Sequence, residues 1–302
     1  MSVGELLRVI VGTLALVALG TFLRTVGLLK ADDTRPINNV LIYIGLPALI
    51  FTTVQPAPIS GNLIEISLLA WGITLAGLVA AWLLSKALKL PRPTAGAFIL
   101  CAAFGNTGYL GYPLATALLG DTGLVRAIFY DVFGTVAAVL TIGILVAGQM
   151  GEHEGRINPF RELFTFPPFI ALLAALALRS VVVPAVVSDW LVGLSKIAVP
   201  LIMLSVGLSL KPHAVRDRLG SVGAVGAIKL LALPLIGFAL GSVVMRDAEA
   251  VRLLVLQAGM PSMMLGLVIG MRFKLDVDFI ASAILVTTVA SVLTVPLMQL
   301  FV

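Results

Sequence analysis

The chain has 302 residues, of which 60% are apolar and only 12% charged, and its mean hydropathy is +1.11. An ordinary soluble domain carries roughly 25% charged residues to cover its surface, so a soluble enzyme, a disordered chain and a secreted disulfide scaffold are excluded. The net charge of +5 does not point to nucleic acid, because the basic residues punctuate apolar runs; one cysteine (Cys101) and two histidines (His153, His213) leave no disulfide framework and no Cys/His metal centre.

A helix crosses the hydrocarbon core in about 20 apolar residues, and the runs between polar breaks predict ten of them. In the first half they are Leu6–Leu23, Ile37–Val54, Leu63–Leu84, Thr94–Leu119 and Leu124–Gly148. After the polar stretch Gln149–Thr165 come Pro167–Val183, Leu191–Leu210, Ser221–Val244, Ala250–Met271 and Phe279–Val302. None alternates polar with apolar residues as membrane-barrel strands do, so the expected fold is an all-α integral membrane bundle. The first run is too long for a signal-peptide core and precedes no small-residue cleavage site, so it reads as a retained span. Loops after the odd-numbered spans hold thirteen Lys and Arg, from Arg24 to Lys274; the opposite side holds five, Arg8, Arg126, Arg179, Arg246 and Arg252. The positive-inside rule then puts residues 149–165 in the cytoplasm and both termini outside an inner (plasma) membrane.

Five spans on each side of that linker predict a duplicated chain: repeat 1–148, linker 149–165, repeat 166–302. Pro47 in the second span has a counterpart in Pro200, 153 residues on, while Asn106-Thr107 and Gly111 are matched by Pro261-Ser262 and Gly266, 155 residues on. An odd number of spans per copy makes the copies antiparallel, the inverted repeat of secondary transporters. The fourth and ninth spans carry helix breakers: Gly105, Gly108, Gly111 and Pro113 in one, Gly259 and Pro261 in the other. Unwound backbone survives in a bilayer only where protein or a wet cavity satisfies it. At 1.5 Å per residue both breaks lie about 18 Å in from opposite surfaces, so the two spans are expected to cross at the midplane.

At these residues the chain resembles the auxin efflux carrier family, which includes plant PIN-type carriers and bacterial organic-acid transporters. The plant pattern Asn-Thr-x-x-x-Gly-x-Pro-Leu is met by Asn106, Thr107, Gly111, Pro113 and Leu114, and Gln-Ala-x-x-Pro by Gln257, Ala258 and Pro261. Ile37-Asn38, Pro47, and Lys229 with Pro234 five positions on also resemble it; Gly105 stands where the plant carriers have proline. The resemblance implies a fold related to the bile-acid symporters, with a scaffold from spans 1, 2, 6 and 7, a transport core from spans 3–5 and 8–10, and a homodimer.

Charges inside spans are costly and usually functional. Asp131, Lys196 and Lys229 are the deep ones; Asp131 and Lys229 could pair with each other or serve charge coupling, and two cations against one anion tilt the interior toward an anionic ligand. New half-helices begin after each break, and their free N–H groups form a ready carboxylate site. The candidate substrate-binding residues are Asn106, Thr107, Gly108, Gln257, Pro261, Ser262 and Lys229, with no cofactor or metal. The expected activity is secondary transport of a small organic anion across the lipid bilayer by alternating access, with H+ or Na+ coupling open. A sodium-coupled bile-acid-like symporter is the alternative within the class. A membrane sensor or enzyme is the alternative outside it, against which stand the lack of a nucleophile–histidine pair, a His-Glu-x-x-His motif or a signalling domain. Topology is directly testable: with Cys101 replaced, a cysteine at position 155 is expected to resist an impermeant reagent on intact cells, and labelling there from outside would invert the arrangement.

Overall fold

A computed structural model describes residues 15–30, 33–59, 62–152, 156–209 and 218–302. The start of the first predicted span, its Arg8, the middle of the linker, both histidines and Leu210 at the end of the seventh span lie outside these residues. Among the described residues the secondary structure is helical throughout, apart from a single backbone bridge discussed below.

The helices are α1 (Ala15–Thr25), α2 (Thr34–Val54), α3 (Asn62–Ala87), α4 (Arg92–Ala103) and α5 (Gly111–Met150), followed by α6 (Pro159–Phe164), α7 (Pro167–Ala177), α8 (Ala185–Ser209), α9 (Leu219–Val244), α10 (Ala248–Ala258), α11 (Leu265–Arg272) and α12 (Val277–Leu300). Six of them, α2, α3, α5, α8, α9 and α12, are long and apolar enough to cross a membrane, and α1 and α7 are shorter apolar helices. The count differs from ten for local reasons. Gly120, at φ 65° and ψ −159°, reverses α5 on itself. Its second limb returns to α4, where an added Cβ on Gly96 would come within 2.7 Å of Met150 Cβ. α5 is thus two helical limbs joined at Gly120, the first the end of the fourth predicted span and the second all of the fifth, so the break between those spans falls where the sequence places it. The ninth predicted span is cut into α10 and α11, each too short to cross alone. The sixth is helical only over Pro167–Ala177, and α8 starts at Ala185, six residues before the expected start of the seventh.

Three long helices carry widened turns. Those at Leu41–Gly45 and Ile228–Ala232 precede Pro47 and Pro234, whose missing N–H releases a carbonyl one turn back. The third, Phe129–Val136, is held against α3, where Ser67 Oγ donates to the Phe129 carbonyl at 3.1 Å and Trp71 Nε1 to the Phe133 carbonyl at 2.8 Å. Asp131 and Lys229 both sit in such turns.

The end of the bundle carrying the linker is fastened by ions. Asp276 caps α12 by accepting from the Phe279 N–H, and its carboxylate also takes Arg218 Nη1 at 2.6 Å and the Thr94 hydroxyl at 2.9 Å, joining α4, α9 and α12. Linker residues Glu152 and Glu162 pair with Lys274 (2.9 Å) and Arg272 (2.7 Å) beside α11. Burial pushes the Asp276 carboxyl up, but Arg218, the Phe279 N–H and Thr94 together hold it below the usual carboxylate range. Its contribution to stability is therefore full above the ordinary aspartate range and lost as pH falls through the depressed value. The melting temperature in detergent is expected to fall with acidification, and Asp276→Asn to remove part of that dependence at the cost of stability near neutrality. An identical acid limb in the variant would refute this role.

Candidate functional site

The two breaks meet backbone to backbone. α4 ends at Ala103, Phe104 is extended, and the next residues run antiparallel to those after α10, bridging Gly105 to Ser262. The Asn106 N–H donates to the Pro261 carbonyl at 2.7 Å, and the Met263 N–H to the Phe104 carbonyl at 3.0 Å. Each strand thereby satisfies the other where neither can be helical. At each half-helix C-terminus a side chain also takes one carbonyl. Lys229 Nζ donates to the Ala258 carbonyl at 2.8 Å, and Ser262 Oγ to the Cys101 carbonyl at 2.8 Å. The Ser262 N–H donates to Thr287 Oγ1 on α12 at 3.0 Å.

The half-helix N-termini are left open. The N–H groups of Thr107, Gly108 and Tyr109 before α5, and of Met264 and Leu265 before α11, donate to no backbone carbonyl among the described residues. Gly108, Tyr109, Met264 and Leu265 line one narrow cleft of about 90 Å³, together with Asn38, Ile42 and Leu46 of α2, Asn106, Tyr112, Asp131 and Val136. Phe166, Pro168, Met263 and Val268 complete its wall. The cleft is thus mostly apolar, with a few convergent polar groups, the usual make-up of a small-molecule site. Asn38 belongs to a hydrogen-bonded set across it: Ser205 Oγ of α8 donates to Asn38 Oδ1 at 2.6 Å, and the Tyr109 hydroxyl reaches the same oxygen at 3.4 Å.

Asp131 is 5% exposed and forms part of this wall. Oδ1 accepts from the Thr107 hydroxyl at 2.5 Å and Oδ2 from the Tyr112 hydroxyl at 2.6 Å. Asp131 and Lys229 do not pair with each other: no ion pair within 4.0 Å involves either among the described residues, and Lys229 is committed to Ala258. Lys229 lies behind the crossing, beside Gly105, where an added Cβ would stand 3.0 Å from Nζ. Lys196, expected deep in a span, is exposed in the last turn before the interruption of α8 at Ile197. Among the described residues, the only charged side chain lining the cleft is therefore a carboxylate, opposite in sign to the balance expected from the sequence.

The two amides also part company. Asn106 lines the cleft, whereas Gln257 is fully buried away from it and packs on Gly111, where any Cβ would collide with its amide. Neither Gln257 Nε2 nor Oε1 has a hydrogen-bond partner. Pro261 and Ser262 shape the crossing rather than the wall, and Pro261 instead borders a small cavity beside α12. The roles of Tyr109, Tyr112 and the methionine pair Met263–Met264 are absent from the sequence reading; only the tyrosines' place inside the glycine-rich break could have signalled them. No three His, Cys, Asp or Glu side chains converge on a metal position among the described residues.

A second cavity, of about 370 Å³, lies at the other end of α2, lined by Thr52, Thr53, Pro56–Pro58 and, from α5, Asp121, Thr122 and Arg126. Arg126, counted above as a loop charge, is buried there and paired with Asp247 and, at 3.6 Å, with Glu249.

Two open half-helix N-termini converging on a cleft inside a multi-pass helical bundle define a membrane transporter. The profile of the membrane transport protein family matches residues 6–299, and the chain belongs to that family, the auxin efflux carriers its motifs resemble. It is 33% identical over 300 residues to an uncharacterized transporter, MJ1031, of Methanocaldococcus jannaschii, covering 96% of each chain. It is 34% identical over 293 residues to an uncharacterized transporter of Methanothermobacter thermautotrophicus, covering 95% of each. A putative malonate transporter of Rhizobium meliloti is 25% identical over 269 residues, 86% of this chain and 84% of that protein.

The contact to Ala258 makes Lys229 a structural test of the crossing. Lys229→Met leaves a buried carbonyl without its donor, a loss of roughly 1–3 kcal/mol. The detergent-purified variant is expected to melt earlier than the native protein. An unchanged melting temperature would show that the ammonium is dispensable there.

Proposed function

We propose that the protein is a secondary transporter of small organic anions, with the substrate carboxylate bound between the N-termini of α5 and α11. The observation that carries this reading is the set of open N–H groups at Gly108–Tyr109 and Met264–Leu265, in residues that line one cleft together with Asn106. Such groups carry partial positive charge and cost no reorganisation when an anion arrives. The malonate transporter relative supports a short mono- or dicarboxylate as the substrate class. Sodium bound by half-helix carbonyls is less supported, because the Ala258, Cys101, Phe104 and Pro261 carbonyls already accept hydrogen bonds.

In this reading the chain is two antiparallel five-span repeats, 1–148 and 166–302, whose crossing spans form the site. Spans 1, 2, 6 and 7 are the scaffold and the rest the moving core, in a homodimer of the inner membrane with both termini outside. The two cavities at opposite ends of α2 support alternating access, since each lies where α2 meets α5. Phe166 and Pro168, just after the linker, wall the cleft that reaches Asn106, which supports access to it from the cytoplasmic side. Thr107, Gly108 and Asn106 contact substrate; Gln257, Pro261, Ser262 and Lys229 hold the frame around it.

The test is affinity. Asn106→Ala keeps Gly105, Gly108 and Pro113 and so keeps the break, but removes an oriented hydrogen bond to a charged ligand worth roughly 1.5–3 kcal/mol, about 10- to 150-fold in affinity. Thermal-shift and uptake measurements in proteoliposomes with a panel of mono- and dicarboxylates would read it. A fully folded Asn106→Ala protein with native affinity would move the site elsewhere.

A further inference from the structure

We propose that Asp131 is the site of a coupling proton, taken up together with the anionic substrate; the inference rests on the anion reading above. Its carboxylate lies in the wall of the same cleft that gathers the open N–H groups. It is also close to them: a Cβ added to Gly108 would stand 3.0 Å from Oδ2. An anion that approaches the Gly108 N–H therefore comes within contact range of Asp131. Two like charges so placed, in a buried site with weak screening, cannot both persist. Either the anion stays out or the aspartate takes a proton.

The surroundings leave the proton as the remedy. Both donors to Asp131, Thr107 and Tyr112, are neutral hydroxyls. From α5 itself Tyr112 and Tyr130 face the carboxylate, and Asp121 and Arg126 lie at the far end of that limb, where Arg126 is paired with Asp247. The α3 residues against this segment, Ser67 and Trp71, donate to backbone carbonyls; its charged residues are Glu65, exposed in its first turn, and Lys86, stacked 3.7 Å over Trp82 in its last. α7 contributes no charged residue, α2 contributes the neutral Asn38, and from α9 Lys229 is committed to the Ala258 carbonyl. Among the described residues lining the cleft, no cation is in place to neutralise the carboxylate when the substrate arrives.

The step balances simply. A solvent proton entering through the cleft adds to one carboxylate oxygen of Asp131, and the substrate anion binds beside it. The neutral acid then serves as a hydrogen-bond donor, to the anion or to the Tyr112 oxygen. The Thr107 hydroxyl has a second acceptor in reach, the Gly105 carbonyl at 3.4 Å, to which it can turn when the carboxylate is neutral. Release of the anion on the other side removes the like charge that held Asp131 protonated, and the carboxyl gives its proton to solvent on that same side. Each cycle therefore moves one proton in the same direction as the anion.

The experiment uses the full chain in proteoliposomes, with radiolabelled malonate outside and a pH-sensitive dye inside. An ordinary monocarboxylic acid stays ionised from about pH 6.5 to about pH 8.5, but the second carboxyl of malonate titrates just below that range, so a monocarboxylate of the panel is measured alongside it and only a pH effect shared by both belongs to the protein. Native protein is expected to lose up to tenfold in malonate affinity per pH unit once above the transition, and to acidify the lumen during uptake. Asp131→Asn, permanently neutral, is expected to bind malonate with little pH dependence and to move no proton. Should that variant misfold, Tyr112→Phe removes one donor to the charged form and is expected to move the pH at which affinity falls upward by about one unit. Proton movement persisting in Asp131→Asn, or an unmoved transition in Tyr112→Phe, would overturn the proposal. Native uptake of malonate without acidification would overturn it too and leave the anion reading standing. Failure of the native protein to bind malonate or any acid of the panel at any pH would sink the anion reading, and this inference with it.

Discussion

Everything at the centre of this molecule depends on one constraint: backbone that is not helical must find partners in a medium that offers no water. The chain interrupts two helices at the same depth, and each exposed stretch is the other's solution. Asn106 and Met263 donate across the crossing to Pro261 and Phe104, so four polar groups are consumed by two bonds. The half-helix C-termini are capped in unlike ways, an ammonium on one and a hydroxyl on the other. The N–H groups of the half-helix N-termini have no such backbone partner among the described residues. On the proposed reading that asymmetry is functional, since those N–H groups are what an anion would use.

That constraint also explains what the sequence could reveal. Glycine and proline are legible because they act on their own backbone, so the breaks at Gly105–Pro113 and Gly259–Pro261 are visible without any knowledge of their neighbours. The turn at Gly120 is legible for the same reason: Gly120-Asp121-Thr122-Gly123 parts the fourth and fifth expected spans, and the chain reverses there. Span boundaries held best where a polar loop follows a full-length helix, as in α3 and α9. They failed for Pro167–Ala177 and α8, where Val181–Val183 keep hydropathy high through the turn although Arg179, Ser180 and Pro184 mark it.

Charges were legible as depth but not as direction. Asp131, Lys196 and Lys229 all fall inside apolar runs, yet a helix turns 100° per residue and its faces meet different surroundings. Lys196 ends exposed, Lys229 faces a carbonyl behind the crossing, and Asp131 alone reaches the cleft. The widened turns add to the uncertainty, since each rotates the residues beyond it relative to a regular helix. A census of charges by position therefore gives the wrong sign for the cleft, even though every residue in it was identified.

The two cavities give the crossing its mechanical meaning on the proposed reading. Both lie along α2, at Asn38–Leu46 and at Thr52–Pro58, so a single helix borders the way in from each side. Between them the wall of α5 carries Asp131 toward one cavity and Arg126 toward the other, with the Arg126 charge already matched by Asp247 and Glu249. The hydrogen bonds spanning the boundary near the cleft are few and long, such as Tyr109 to Asn38 at 3.4 Å, whereas those within the crossing are short and backbone-made. Motion then has a preferred plane. Sliding α5 and its partners past α2 breaks the weak contacts and keeps the strong ones, so the anion site would travel intact while the side from which it is reached changes.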